Sequence, residues 1–329
     1  MMDADYMRIA LGLAEKSNWF VSPNPMVGCV IVKDGEIIGE GFHKEFGSDH
    51  AEITALKSCK VDPRGSTVYV NLQPCCHQGK TGACTDALIE AGVSKIVYAT
   101  KDTNPLVAEK SDQILRDAGI DLVSGVLVDE AIKLNRKFLY WKSSARPWIT
   151  LKVAATLDGK VAMKSGESKY ITSQDARGYV HKLRAEHDAI LIGSGTLKAD
   201  NPNLGLHGVE GKDPFRFILG SNVDLDDSQV FRDDNYAIVA SVEEMFQICK
   251  DREISSVLVE GGSKIFTSFL KNGYVNELVY FLAHKIIGDN HIAAFGDIGL
   301  DMLQDSVKLT PISSRGFENC HCIRFLLKE

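Results

Sequence analysis

The chain has 329 residues, of which 44% are hydrophobic and 25% charged, with only 9 prolines. These proportions exclude a collagenous, low-complexity or largely disordered polymer, and at roughly 100–200 residues per domain they suggest two domains. With 37 basic against 44 acidic side chains the formal charge is −7. That is a poor surface for general nucleic-acid binding, and on it an anionic substrate needs local cations. Apolar runs such as Val27–Val32 fall far short of the ~20 residues that span a bilayer, and Asp3, Asp5 and Arg8 stand where a signal peptide needs a basic patch and then an apolar stretch. The expected compartment is the cytoplasm, without a membrane or nucleic-acid partner. There the eight cysteines are thiols rather than disulfides, so the cluster Cys75, Cys76 and Cys84 reads first as a metal or catalytic site.

In chain order, apolar positions at helical spacing (Met7, Ala10, Leu11, Ala14) predict a helix over 3–16. Val27–Val32 and Ile37–Gly39 flank Asp34-Gly35, a hairpin signal. A helix over 51–59 follows, then a strand over 67–72 ended by Pro74, a helix closed by Gly92, and a strand over 95–99. Helices over 108–118 and 128–142 and a short strand at 120–124 complete the first half. The polar Ser143-Ser144-Ala145-Arg146-Pro147 is the linker, dividing the chain at 1–145 and 146–329. Beyond it, strands are predicted at 148–155, 189–193, 215–219, 236–240, 256–260, 275–282 and 320–327, with helices at 173–186, 242–250 and 263–272. Such alternation argues for α/β sheets with covered faces.

The first chemical constellation is His50-Ala51-Glu52, Pro74-Cys75 and Cys84. A catalytic zinc takes three nitrogen or thiolate ligands and keeps one position open for water, which His50, Cys75 and Cys84 would provide. Zinc lowers the pKa of its water to roughly 7, giving a hydroxide able to attack an amino-bearing carbon, with Glu52 as the proton shuttle. His-x-Glu followed by Pro-Cys is the zinc deaminase pattern, except that the second cysteine is nine residues on instead of three. The alternative is a closed structural zinc site with Cys76 or His77 as fourth ligand, which leaves Glu52 without a task.

Pro23-Asn24-Pro25-Met26-Val27-Gly28, Gly41-Phe42-His43, His50-Ala51-Glu52 and the run from Pro74 to Thr81 resemble the deaminase half of the bifunctional riboflavin-biosynthesis RibD family. The long Cys75–Cys84 spacing is itself a mark of that family. The resemblance implies a cytidine-deaminase-like three-layer fold acting on a diaminopyrimidinone ribosyl 5′-phosphate, with Asn24, His43, Lys80 and Thr81 contacting substrate. Gln73 stands where the family usually has glutamate, and Gly82-Ala83 replaces a usual pair of prolines.

In the second half, strands run into two glycine turns, Gly193-Ser194-Gly195 and Gly261-Gly262-Ser263. Glycines there let backbone approach a phosphate at a helix N-terminus, although taken alone each is more often only a tight turn. Leu151-Lys152, Thr156-Leu157-Asp158-Gly159, Ala199-Asp200-Asn201-Pro202 and Val259-Glu260-Gly261-Gly262 resemble the reductase half of the same family, a dihydrofolate-reductase-like α/β domain that uses NADPH. The resemblance implies that Lys152, Asp200 and Glu260 surround the reacting carbon. Ala154, Tyr170, Thr196, Asp200, Ser221 and Gly262 would line the cofactor, and Ser168, Arg184, Leu204, His207 and Glu260 would face the substrate. Two departures stand out: His207 replaces a usual arginine, and Gly220 a usual aspartate before Ser221.

The expectation is therefore a two-domain α/β enzyme with one zinc ion per chain, deaminating the pyrimidine and then reducing the ribosyl group with NADPH, and assembled as a homo-oligomer (dimer or tetramer). Two rivals are a deaminase whose second domain has lost catalysis and a non-enzymatic zinc- and nucleotide-binding regulator.

Overall fold

The computed structural model describes residues 1–76, 82–103, 110–221, 223 and 228–327. The chain divides into two compact units, Met1–Ala145 and Arg146–Glu329.

The first unit carries helices α1 (Asp3–Glu15), α2 (Ala51–Ser58), α3 (Cys84–Glu90), α4 (Lys110–Asp117) and α5 (Val128–Ser144). Its strands are β1 (Gly28–Lys33), β2 (Glu36–Phe42), β3 (Thr67–Leu72), β4 (Lys95–Thr100) and β5 (Asp121–Ser124), in the order β2-β1-β3-β4-β5. The β1–β2 hairpin turns on Asp34 and Gly35, both at positive φ (53° and 82°), the conformation a two-residue Asp-Gly turn requires. Successive side chains point to opposite sheet faces, and both faces are covered, so the strands read as continuous apolar runs. Cys29, Ile31, Val68 and Val70 pack with Ala55, Leu88 and Leu115 of α2, α3 and α4. Val30, Val32, Tyr69 and Val97 pack with Met7, Ala10 and Ala131 of α1 and α5. The result is three layers.

One contact governs where the functional residues fall. Helix α2 lies directly on β2, at two positions that have no side chain. A Cβ at Gly41 would sit 2.3 Å from the backbone nitrogen of Ala55 and 2.5 Å from the carbonyl of Ala51, and one at Gly39 would sit 2.5 Å from the carbonyl of Ala55. Both glycines are needed for this approach.

The second unit has an eight-stranded sheet, with β6 (Trp148–Thr156), β8 (Ala189–Gly193), β9 (Phe215–Leu219), β10 (Tyr236–Val239), β11 (Ser256–Val259), β12 (Glu277–Ala283), β14 (Leu309–Phe317) and β15 (Cys320–Leu327). Its order is β10-β9-β8-β11-β6-β12-β15-β14, parallel from β10 to β12 and antiparallel at β15 and β14. β7 (Lys160–Ala162) and β13 (Ile292–Ala293) form a separate pair. Helices α8 (Val242–Asp251) and α9 (Ser263–Lys271) cover one face, through Met245, Phe266 and Phe269 against Ile149, Leu151 and Val257. On the other face α6 (Gln174–Ala185) packs Val180 and Leu183 against Leu258, Val279 and Phe281. The short α7 (Ser194–Asp200) packs Leu197 against Ile190, Ile192 and Ile218. Four helices or strands are missing from the sequence pattern, among them the two-residue β13. β14 has little apolar alternation because its residues are largely exposed, β7 is three residues long, and α7 begins inside the turn Gly193-Ser194-Gly195.

Gly41→Ala is expected to push α2 off the sheet at a cost of about 1–3 kcal/mol. Thermal unfolding of the first unit should move down by several degrees, and the metal content of the purified protein should fall with it, because α2 carries His50 and Glu52.

Candidate active sites

In the first unit two helix N-termini and one strand end converge. His50 is the residue preceding α2, Cys84 opens α3, and Cys75 follows β3 after Pro74. The Thr85 N–H donates to the Cys75 carbonyl (3.1 Å) and Ser111 Oγ to that of Pro74 (2.6 Å), fixing the Cys75 loop to α3 and α4. His50 Nδ1 lies 3.2 Å from Cys84 Sγ and 3.5 Å from Cys75 Sγ, and one donor atom from each of the three residues falls within 4.8 Å of the others.

The charge state shows what this trio suits. The hydrogen bond from Cys84 brings the Cys75 thiol down to about 4, against the opposing effect of burial, with His50 adding to the fall. The same bond, together with burial, pushes Cys84 well up. Two thiols sharing one negative charge need a cation to ionise together, which a divalent metal supplies. The nitrogen–thiolate–thiolate set fits zinc with a position left open for water. Cys76 is outside this group among the described residues, and His77 lies in the undescribed 77–81.

Glu52 is buried beside the trio, and its carboxyl is pushed up to about 7, first by burial and then by the Cys75 charge. Together with Asn24, His43, His50 and Cys75 it lines a pocket of about 180 Å³. His43 Nδ1 lies 3.0 Å from the Asp49 carbonyl, so it must donate, leaving Nε2 to accept from Asn24 Nδ2 at 3.1 Å. Burial lowers the His43 pKa and keeps the ring neutral. The backbone just beyond Asn24 is held by residues absent from the sequence motifs. Buried Asn71 and Asn135 clamp Met26 and Gly28 from both sides, Asn135 from a break in the helical backbone of α5. Lys80 and Thr81 lie outside the described residues.

The departure at Gln73 has a local reason. Its Nε2 donates to Asp112 Oδ1 (2.7 Å), a carboxylate that also accepts from Tyr98, while its Oε1 accepts from the Asp102 N–H (3.2 Å). A glutamate at this position would set a second carboxylate against buried Asp112.

In the second unit, period-two alternation puts Thr150, Lys152 and Ala154 on the α6 face of β6. Glu260 follows the end of β11. Arg184 of α6 grips it through two parallel bonds, Nε–Oε1 at 2.7 Å and Nη2–Oε2 at 3.2 Å, and Lys152 Nζ lies 3.8 Å from Oε2. Burial opposes the Glu260 charge, but Arg184 and then Lys152 outweigh it and bring the carboxyl to about 2. Burial lowers the Lys152 pKa against the pull of Glu260. Arg184 Nη1 also donates to the Gly205 carbonyl (3.1 Å), so one guanidinium ties the carboxylate to the loop after α7.

The remaining expected residues are spread around this set. Thr196, Ser221 and Gly262 stand just beyond the carboxyl ends of β8, β9 and β11, three adjacent parallel strands, where α/β sheets place their ligands. Half-buried Ala154 packs toward α6, Ser168 is half-buried, and exposed Tyr170 has the Arg177 guanidinium 4.1 Å above its ring. Asp200 pairs with Lys169 (3.2 Å) and, among the described contacts, is not joined to Lys152 or Glu260. Leu204 is buried in the apolar cluster with Ile192 and Leu197, so its side chain serves packing.

His207 is exposed at φ 48°, on a surface pocket of about 440 Å³ formed by 203–213, and its ring lies tilted beside that of His181, with 4.5 Å between centroids. Burial, then the Arg184 charge, brings His181 down to about 4. The loop itself is pinned by Asp213, which accepts from the Leu206 N–H (3.2 Å) and from Arg232 (2.6 Å). Sequence motifs gave no sign of His181, Asp213 or Arg232, because their partners lie far away in the chain. Gly220 is explained by packing: a Cβ there would sit 2.5 Å from Ser194 Oγ.

Two tests follow from these geometries. Cys84→Ser should lose most of the bound zinc while Cys76→Ser keeps it, as read by metal analysis of the purified proteins. Depression of the Glu260 carboxyl means that its stabilisation is complete above the ordinary carboxyl range near 4.5 and is lost as pH falls towards about 2. Urea melts at pH 5, 4 and 3 should therefore show a shallower decline in Glu260→Gln than in the unsubstituted protein, by up to about 1.4 kcal/mol per pH unit.

Residues 1–100 match the family model of the cytidine and deoxycytidylate deaminase zinc-binding region, and residues 147–322 that of the RibD C-terminal domain. The chain is 38% identical over 342 residues to riboflavin biosynthesis protein RibD of Actinobacillus pleuropneumoniae, covering 94% of this chain and 91% of that one. Among solved structures, RibD of Acinetobacter baumannii superposes with a TM-score of 0.93 at 33% identity over 99% of both chains. A diaminohydroxyphosphoribosylaminopyrimidine deaminase/5-amino-6-(5-phosphoribosylamino)uracil reductase from Thermotoga maritima gives 0.89 at 36% identity, also over 99% of both. The first unit is thus a cytidine-deaminase-like domain, the second is a RibD reductase domain, and the chain belongs to the RibD family.

Proposed function

We propose that the two units divide the labour of a bifunctional riboflavin-biosynthesis enzyme between them, deamination in residues 1–145 and reduction in 146–329. The substrates are 2,5-diamino-6-ribosylamino-4(3H)-pyrimidinone 5′-phosphate and then the 5-amino-6-(5-phosphoribosylamino)uracil it yields. The observation that carries this reading is the convergence of His50, Cys75 and Cys84 beside buried Glu52 in one pocket. The deaminase-only alternative finds no support: the RibD C-terminal match spans 147–322, and the buried Lys152–Glu260–Arg184 set lies within it.

His50, Cys75 and Cys84 would hold one zinc ion, which when bound activates water for attack on the amino-bearing ring carbon. Glu52 would take up one proton of that water and pass it to the ring nitrogen, then take the second from the new hydroxyl and pass it to the amino group, which departs as ammonia. A carboxyl whose burial raises its affinity for protons suits both halves of that transfer. Asn24 and His43 present polar atoms to the pyrimidine, as Lys80 and Thr81 are proposed to do from the adjoining segment.

In the second unit NADPH would supply hydride to C1′ of the ring-opened ribose. Thr196, Ser221 and Gly262 at the strand ends, with Ala154, Tyr170 and Asp200, are proposed to line that cofactor. Lys152 is the proton donor beside the reacting carbon, its basicity lowered by burial and its charge balanced by Glu260. Ser168, Arg184, Leu204 and His207 are assigned to the substrate side. For Leu204 this leaves only the backbone, and for Arg184 a role through Glu260 and the Gly205 carbonyl. His207 would meet the phosphate without the planar fork of donors that arginine offers. A cytoplasmic location is supported by eight free cysteines, and no described helix is long and apolar enough to cross a membrane. A homo-oligomer, dimer or tetramer, is supported by exposed Leu300, Met302, Leu303 and Leu309.

Incubating the protein with the diaminopyrimidinone phosphate, with and without NADPH, and identifying products by mass tests the whole reading. Glu52→Gln should keep stoichiometric zinc, lose deamination by at least about 100-fold and still reduce supplied aminouracil phosphate. Lys152→Ala should show the converse. If Glu52→Gln lost its zinc, the assignment of Glu52 as proton carrier would be wrong.

A further inference from the structure

The deaminase pocket has an electrostatic imbalance. Glu52 and Asp102 contribute carboxyl groups to its wall, and burial disfavours the charged form of His43. Its substrate carries a phosphate, and the chain as a whole bears a formal charge of −7. Among the described residues lining the pocket, Lys142 is the one lysine or arginine.

Lys142 lies one helical turn beyond Phe138 on α5, and both side chains border the pocket. Its ammonium sits 5.8 Å from the centroid of the Phe138 ring, near the outer limit of a cation–π contact. The ring therefore supports the stem while leaving the three N–H donors for another partner. No ion pair joins Lys142 to any other described residue, although its side chain is half-buried. A half-buried lysine at the wall of a substrate pocket, without an ion-pair partner among the described residues, is matched by an anion on the ligand. Lysine binds phosphate as a compact point charge and needs no second fork of donors to do so.

We propose that Lys142 is a specificity-determining residue of the deaminase, receiving the phosphate end of the substrate while the pyrimidine ring lies against Glu52. This rests on the deaminase reading above. It adds a cation to the one expected at Lys80, on a different element, and makes the C-terminal part of α5 a portion of the substrate site.

The test compares Lys142→Met, which keeps the apolar stem over Phe138, and Lys142→Arg, which keeps the charge. Ammonia release is followed with the diaminopyrimidinone ribosyl phosphate and with its dephosphorylated nucleoside. Lys142→Met should raise KM for the phosphorylated substrate about ten-fold or more with kcat within about two-fold, and the kcat/KM preference for the phosphorylated form should fall by the same factor. Lys142→Arg should recover most of the preference, and the salt dependence of kcat/KM should be weaker in Lys142→Met than in the unsubstituted enzyme. An unchanged preference would show that another cation receives the phosphate and would overturn the proposal. So would an equal loss on both substrates, or loss of zinc from Lys142→Met, since either marks a structural role. No ammonia release by the unsubstituted enzyme would overturn the deaminase reading itself, and this inference with it.

Discussion

The first active site depends on how closely one helix can lie on one strand. Backbone-to-backbone contact between α2 and β2 is possible only where β2 has hydrogen for a side chain, at Gly39 and Gly41. That contact sets the depth at which α2 begins, and therefore where His50 and Glu52 stand relative to Cys75 and Cys84. A three-ligand metal site tolerates little displacement, since its donors must meet at bonding distance of one point. The two glycines thus act on the chemistry through geometry, without touching substrate or metal.

The same close approach explains the electrostatics. Burial that raises the Glu52 carboxyl to about 7 comes from packing around α2, while the bonds that hold the Cys75 loop to α3 bring Cys75 and Cys84 close enough to share one charge. A carboxyl poised in this way can both accept and release a proton near neutrality, which a solvated glutamate would do poorly.

Much of the first half was legible because its signals are short. His-x-Glu reports one helix start, Pro-Cys reports one strand end, and Asp-Gly reports one hairpin, each within a few residues. Apolar runs located most strands of both units because both faces of each sheet are largely covered. The second site was legible only through family resemblance. Lys152, Arg184 and Glu260 come from β6, α6 and the end of β11, and nothing in local sequence says that they meet. Leu204 shows the opposite limit: position within a motif suggested a substrate contact, while burial in the Ile192–Leu197 cluster gives its side chain a packing task. Asn71, Asn135, Asp213 and Arg232 were invisible for a further reason, because they position other residues and carry no motif of their own.

The departures at 73, 207 and 220 bear on whether the family's chemistry has decayed here. Two of the three altered residues are met by a matching neighbour. Gln73 donates to Asp112 and Ser194 Oγ fills the space that a Cβ at Gly220 would need, whereas the His207 ring lies tilted beside that of His181, whose buried Nδ1 has no hydrogen-bond partner among the described residues. The ion set makes the stronger case. Lys152, Arg184 and Glu260 are only 18%, 11% and 11% exposed, so three charges are held largely out of water. Replacing such a set with well-packed apolar residues is often neutral or stabilising by about 1–4 kcal/mol. A domain kept only for assembly would gain from losing it. Its presence, with Arg184 bidentate on Glu260 and linked to Gly205, argues against a domain kept only as a scaffold.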